Sequence, residues 1–263
     1  MTTTDFATGS PCWIDLGATD TDAAVAFYGA VFGWEYHPFG PEPGGYGAFR
    51  SGGRTVAAVG PLTEEGARPS WTVYFATPDA EKTASTVRRA GGTVRVEPGD
   101  VGGEGRLAQF TDPVGADFAV WQPGATRGLE RTGDPGSLTW IELCTSDVAA
   151  LVEFYRALFG WTTSDVPLPG GGGVYSLIIP QDGNVGQAQG GMVQLDADSM
   201  REEGGPYWHP VFEVADCDAT IARVTDNGGK VRMGPEDAEG VGRLAVCLDG
   251  SGAEFVVLTS AGE

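Results

Sequence analysis

Histidine is nearly absent from this chain. Only His37 and His209 occur in 263 residues. A metal site of the two-histidine, one-carboxylate kind would have to recruit both. Cysteine is scarce too. Cys12, Cys144, Cys217 and Cys247 show no C-x-x-C spacing, so they read as reduced, buried thiols rather than a zinc site or a disulfide frame. No apolar run approaches the ~18 residues of a membrane helix. The opening MTTTDFATGSP has neither a basic segment nor an apolar core, so no signal peptide is read there and a cytoplasmic protein is expected. Basic residues are few, 16 against 36 acidic, for a net charge of −20 and a pI near 4.3. That excludes nucleic acid and anionic membrane as partners, because both need a basic footprint. The acid surplus suits a soluble, self-repelling chain and is compatible with a cationic ligand. There is no G-x-S-x-G, no P-loop and no dinucleotide fingerprint.

What is present is repetition. WIDLGATDTDAAVAFYGAVFGWEY (13–36) returns as WIELCTSDVAALVEFYRALFGWTT (140–163), at an offset of 127. WTVYFATPDAEKTASTVRRAGGTV (71–94) returns as WHPVFEVADCDATIARVTDNGGKV (208–231), and GRLAQFTDPVGADFAVW (105–121) as GRLAVCLDGSGAEFVVL (242–258), both at 137. Ten residues are therefore inserted in the second half, and the Pro/Gly clusters of 165–190 are the expected place. Within each half the pattern repeats again. A short strand of period two (Ile14 and Leu16 on one face, Trp13 and Asp15 on the other) precedes an Asp-capped helical stretch closed by Gly33, and three short apolar strands follow. Residues 71–121 spell the same β-α-β-β-β unit. Four such units make up the chain. One alone is too small to bury its sheet, so they are expected to pair, giving each half a core of its own. The polar, Gly/Pro-rich 122–136 lacks periodicity and reads as a linker.

A β-α-β-β-β unit opening on W-I-D-L, an Asp seven residues after the strand head, F-Y-x-x-x-F-G-W, and the D-P-x-G-A-x-F-x-V ending of the first half (Asp112 to Val120) resemble the vicinal oxygen chelate superfamily of glyoxalase I, extradiol dioxygenases and bleomycin resistance proteins. The resemblance spans about residues 9–260. It implies an α+β fold of two tandem domains, 9–122 and 137–260, joined by 123–136. Each would hold two paired βαβββ modules, with a curved mixed sheet around a cavity and helices outside. Tandem actinobacterial members labelled glyoxalase-like or hydroxylase include accessory proteins of anthracycline-type pathways.

Metal-using members take ligands from the heads of the first and fifth strands and from the eighth. Those positions fall here on Trp13, Thr72 and Ala119 in one half and on Trp140, His209 and Val256 in the other. Indole offers no free lone pair, so no metal and no cofactor are expected. Strand parity instead turns Asp15 and Glu142 to the same side as their tryptophans, with Thr72, Tyr74, Trp121 and His209 across the sheet. Arg106 and Arg243 are candidate partners for the two acids. The ligand-binding set read from the sequence is Trp13, Asp15, Thr72, Tyr74, Trp121, Trp140, Glu142, Trp208 and His209; Asp15, Glu142 and His209 are also the catalytic candidates. Aromatic walls with one acid each suit a flat aromatic ligand bearing a positive group. The leading expectation is a metal-free binder acting in sequestration, resistance or a biosynthetic step, with a pathway oxygenase as a further partner. The alternatives are a metal-free acid–base enzyme on a polyketide or dicarbonyl substrate and a divergent metal-dependent glyoxalase or dioxygenase.

Overall fold

The computed structural model describes residues 6–41, 44–62, 64, 66–168 and 173–262. Among them the first half runs β1 (Pro11–Ala18), α1 (Thr21–Phe32), β2 (Glu35–Pro38), β3 (Gly47–Ser51), β4 (Arg54–Pro61), β5 (Ser70–Ala76), α2 (Ala80–Arg89), β6 (Thr93–Asp100), β7 (Gly105–Thr111) and β8 (Asp117–Pro123). The second half runs β9 (Ser137–Thr145), α3 (Val148–Phe159), β10 (Thr162–Pro167), β11 (Val174–Ile179), β12 (Gly190–Gln194), α4 (Ala197–Glu203), β13 (Tyr207–Glu213), α5 (Cys217–Asp226), β14 (Lys230–Ala238), β15 (Gly242–Leu248) and β16 (Glu254–Ser260). Each half forms one eight-stranded mixed sheet, ordered β2-β3-β4-β1-β5-β8-β7-β6 and β10-β11-β12-β9-β13-β16-β15-β14. The two modules of a half join through one antiparallel pair at the centre, β1 with β5 and β9 with β13. This is the α+β arrangement of paired βαβββ modules that the repeats imply.

The helices begin where the repeated aspartates stand. Asp20, Asp79, Asp147 and Asp216 each follow a strand and accept a backbone N–H from the first turn of the helix, satisfying one of its orphan donors. Gly33 and Gly160 close α1 and α3 in the left-handed conformation. Along β1, burial alternates strictly. Ile14 and Leu16 are sealed and Trp13 and Asp15 are half-buried, as period two requires.

Three expectations are corrected. The halves do not keep separate cores. One apolar cluster runs through Ile14, Tyr28 and Phe75 of the first half and Phe159, Trp208 and Phe255 of the second. The helices lie on the outer faces of the two sheets, and these faces meet: α1 packs on α5, α2 on α3, and β5 on β13. A twofold-like pair of polar latches crosses this seam. Tyr28 Oη donates to Asp249 Oδ2 (3.2 Å) and receives Trp71 Nε1–H, while Tyr155 Oη donates to Asp112 Oδ2 (3.1 Å) and receives Trp208 Nε1–H. Second, 123–136 is a packed strap. Leu129 is buried, its N–H bonds to Cys12 O, and the Glu130 carboxylate accepts the Thr55 N–H at 2.7 Å. Third, the extra residues do not all fall in 165–190. Gly191 lies opposite Glu142 where Ala58 lies opposite Asp15, an offset of 133. Six insertions thus precede β12, and four follow it in the segment that carries α4. Two of those six lie in the β10–β11 turn: Tyr36 pairs with Phe49 but Thr163 pairs with Ile178, so β11 runs at an offset of 129; residues 169–172 of that turn lie outside those described.

Candidate functional site

The inner face of the first sheet encloses a cavity of about 1110 Å³. Its wall includes Trp13 and Asp15 from β1, Thr72 and Tyr74 from β5, and Trp121 from β8. Trp121 lies flat over β7 because Gly105 has no side chain; a Cβ there would meet the indole at 2.3 Å. The two exposed large aromatics among the described residues, Phe39 and Tyr46, also line this space and stack at 5.8 Å. Exposed aromatics at the rim of a concave site are the usual mark of an apolar ligand.

Asp15 is the polar centre. Tyr74 Oη donates to its Oδ2 at 2.8 Å and Tyr46 Oη to the same oxygen at 3.0 Å; Tyr46 in turn accepts the Trp13 indole N–H at 3.1 Å. Burial pushes the Asp15 carboxyl up to about 6, against the hydrogen bonds from Tyr74, Tyr46 and Thr72 that hold it down. Both phenols are themselves held protonated, by burial first and then by the Asp15 charge. Tyr46 reaches the acid from the loop before β3 because Gly60 on β4 leaves room; a Cβ there would sit 2.6 Å from its ring.

The inner face of the second sheet is built differently. His209 replaces Thr72, and Val211, Val246, Val256 and Leu258 form a small aliphatic cluster beside Trp140. Trp140 Nε1 donates to Tyr175 Oη at 2.9 Å; the strand registers make Tyr175 the counterpart of Tyr46, although the glycine that its ring crosses is Gly191, the counterpart of Ala58 rather than of Gly60. His209 is sealed between two carboxylates. Its Nδ1 lies 2.7 Å from Glu254 Oε1 and its Nε2 3.0 Å from Glu142 Oε2, while Arg232 closes on the other Glu254 oxygen at 2.5 Å. Ionised carboxylates only accept, so both ring nitrogens must donate and the ring is an imidazolium. Burial alone would discharge it, but the bonds to Glu142 and Glu254 win and raise it to about 9. Glu254 is held below the usual carboxylate range: burial opposes this, but His209, Tyr207 and Arg232 outweigh it.

Glu142, Cys144 and His209 gather their donor atoms within 4.8 Å and are the described cluster nearest to a metal site. Without a metal, His209 has no free lone pair, and burial together with the Glu142 charge keeps the Cys144 thiol protonated, so an ion here would have to displace a proton from each. The positions that bear ligands in metal-using members carry Trp13, Thr72 and Ala119, and Trp140, His209 and Val256, as read from the sequence.

The structure thus gathers Trp13, Asp15, Thr72, Tyr74 and Trp121 around one space, and Trp140, Glu142 and His209 on the other inner face. Trp208 is not with them. It precedes His209 by one residue, so the pleat turns it into the shared core, where it is buried and bonded to Tyr155. Arg106 and Arg243 do not serve the two acids either. They lie on the helix side, bonded to Glu81 of α2 and to Asp218 and Asp237. Reasoning from the sequence missed Tyr46, Tyr175, Asp117 and Glu254. The last two were visible as the acid in G-A-D-F and G-A-E-F, the same place in both copies of the third phrase.

The family model for the glyoxalase/bleomycin resistance protein/dioxygenase superfamily matches residues 12–120 and again 137–257. The chain is 40% identical to the anthracycline biosynthesis protein DnrV of Streptomyces peucetius, over 97% of this chain and 94% of that one. It is 35% identical to the putative glyoxylase CFP32 of Mycobacterium tuberculosis, over 98% and 97%. Among solved structures it resembles the Mn(II)-bound glyoxalase of Novosphingobium aromaticivorans, with a TM-score of 0.66 at 17% identity, covering 97% of this chain and 84% of that one. At that identity the likeness is one of fold.

Proposed function

The chain belongs to the glyoxalase/bleomycin resistance protein/dioxygenase superfamily, and from that premise we propose that it is a metal-free binding protein for an aromatic, polyketide-like small molecule. The observation that carries this is the first-half cavity. It is large enough for several fused rings, walled by Trp13, Tyr74 and Trp121, and centred on one carboxylate whose two phenol donors are fixed in advance. Similarity to an anthracycline biosynthesis protein along nearly the whole chain supports the aromatic class of ligand and a role beside a biosynthetic pathway: sequestration, resistance, or transfer to a pathway oxygenase. The second inner face is given a structural part, since His209 and its two carboxylates satisfy one another there.

Titration with a dihydroxyanthraquinone, followed by tryptophan fluorescence, tests this. Saturable quenching is expected, weakened in Trp13→Ala and retained in Trp140→Ala. No saturable change in the parent protein would reject it.

A second reading rests on Asp15. A carboxyl raised to about 6 between two phenols is matched to proton abstraction near neutrality, so a metal-free acid–base enzyme is the alternative. Turnover of a polyketide-like or dicarbonyl substrate that vanishes in Asp15→Asn, with the ligand still bound, would favour it.

A further inference from the structure

The two sheets can be compared row by row. In the second, Glu142 on β9 lies opposite His209 on β13, and the parallel register that pairs Val211 with Val256 puts His209 level with Glu254 on β16. In the first, Asp15 lies opposite Thr72, and the register that pairs Tyr74 with Ala119 puts Thr72 level with Asp117. The rows correspond: acid, centre, acid. Even the outer support recurs, because Arg95 pairs with Asp117 as Arg232 pairs with Glu254. The chemical type changes only at the centre. The second half places an imidazolium between its carboxylates, whereas the first has a short, neutral threonine facing the cavity.

Building on the binding reading above, we propose that the space over Thr72, between Asp15 and Asp117, receives a cationic amine of the ligand, in the place His209 fills in the repeat. Three features favour an outside cation. Both first-half acids are Asp where the repeat has Glu, so each reaches one methylene less and the gap is wider. Both phenols fall on Asp15 Oδ2, so besides them only the short Thr72 hydroxyl serves this carboxylate, where the repeat has a charged imidazolium. Asp117 lines the same cavity as Asp15; its Oδ1 accepts the Thr111 hydroxyl at 2.6 Å, and the Arg95 on its Oδ2 is shared with Glu64, so its charge is only partly neutralised. Spanning two strand spacings, the acids stand about 10 Å apart at the backbone, which leaves room for one ammonium hydrogen-bonded to both. The ligand class is then an aromatic system carrying a primary or secondary amine.

The test uses two probes on the full chain near pH 7.5: a dihydroxyanthraquinone with an aminoethyl side chain and its hydroxyethyl counterpart. The parent should bind the amine about tenfold or more tighter. Asp117→Asn should collapse that preference, weakening the amine probe about fivefold or more beyond any change in the hydroxyethyl probe. Thr72→His should copy the repeat: the introduced imidazole should titrate above the ordinary histidine value and exclude the amine. Equal binding of the two probes by the parent would overturn the cation site while leaving the aromatic reading standing. Saturable binding of neither probe would overturn both. An introduced imidazole with an ordinary pKa would show that the two acids do not share that space, and would overturn the proposal without any ligand.

Discussion

Replacing His209 with glutamine and measuring stability against pH is the sharpest test of the second half's design. Folded His209 titrates near 9, against about 6.5 for an unfolded histidine, so the folded state binds the proton more tightly. Its contribution is therefore complete below about 6.5 and is lost as pH rises through about 9. The difference of about 2.5 units corresponds to roughly 3 kcal/mol. Glutamine keeps much of the shape and one donor but carries no charge, so Glu142 and Glu254 are left facing each other. Breaking a buried ion pair on one side costs about 3–5 kcal/mol. Urea denaturation at steps from pH 6 to 10 should show the parent well above His209→Gln at pH 6, with the gap closing towards pH 9.5. Taking the difference between the two proteins cancels tyrosines and thiols that titrate in the same range. A gap that stays constant across that range would mean that His209 is neutral in the folded protein and that the clamp is only a hydrogen-bonded contact.

Other consequences follow for the first half and the seam. Tyr46→Phe should raise the Asp15 pKa further above 6, since it removes a donor to the charged form, and carboxyl-carbon NMR reads this directly. Affinity for an amine-bearing ligand should fall as pH drops below about 6, when Asp15 takes a proton among Tyr46, Tyr74 and Thr72; a neutral analogue should show no such fall. Tyr155→Phe should cost about 1–3 kcal/mol in thermal or urea unfolding, because the buried Trp208 N–H loses its acceptor and Asp112 loses a donor. None of the four cysteines should react with a disulfide reagent at neutral pH until the chain unfolds, since all are buried and each thiol is raised by burial, Cys217 to about 11 and Cys247 to about 12.

The fold was legible because its signals are local and repeated. Aspartate after a strand starts each long helix, and alternation along W-I-D-L sets which face of β1 meets the core. Parity also placed Asp15 beside Trp13 and Glu142 beside Trp140. What escaped was long-range or fell on the wrong side of the pleat. Trp208 falls on the other side because neighbours on a strand point apart, so the residue before His209 faces the core. Tyr46 and Tyr175 are counterparts, but at an offset of 129 that the repeated phrases at 127 and 137 do not show, and they sit where they do only because Gly60 and Gly191 leave room, which requires the β3–β4 and β11–β12 pairings to be known. The shared core was hidden because sequence periodicity says that a helix face is apolar, not which sheet or helix covers it.

Aromatic binding in the first-half cavity is tested most directly by a crystal structure of the chain grown with a saturating dihydroxyanthraquinone. One molecule per chain is expected inside the first sheet, its rings against Trp13 and Trp121 and a polar edge at Asp15, with the His209 clamp undisturbed. A ligand seated instead on the second inner face, with His209 displaced from Glu142 and Glu254, would contradict it.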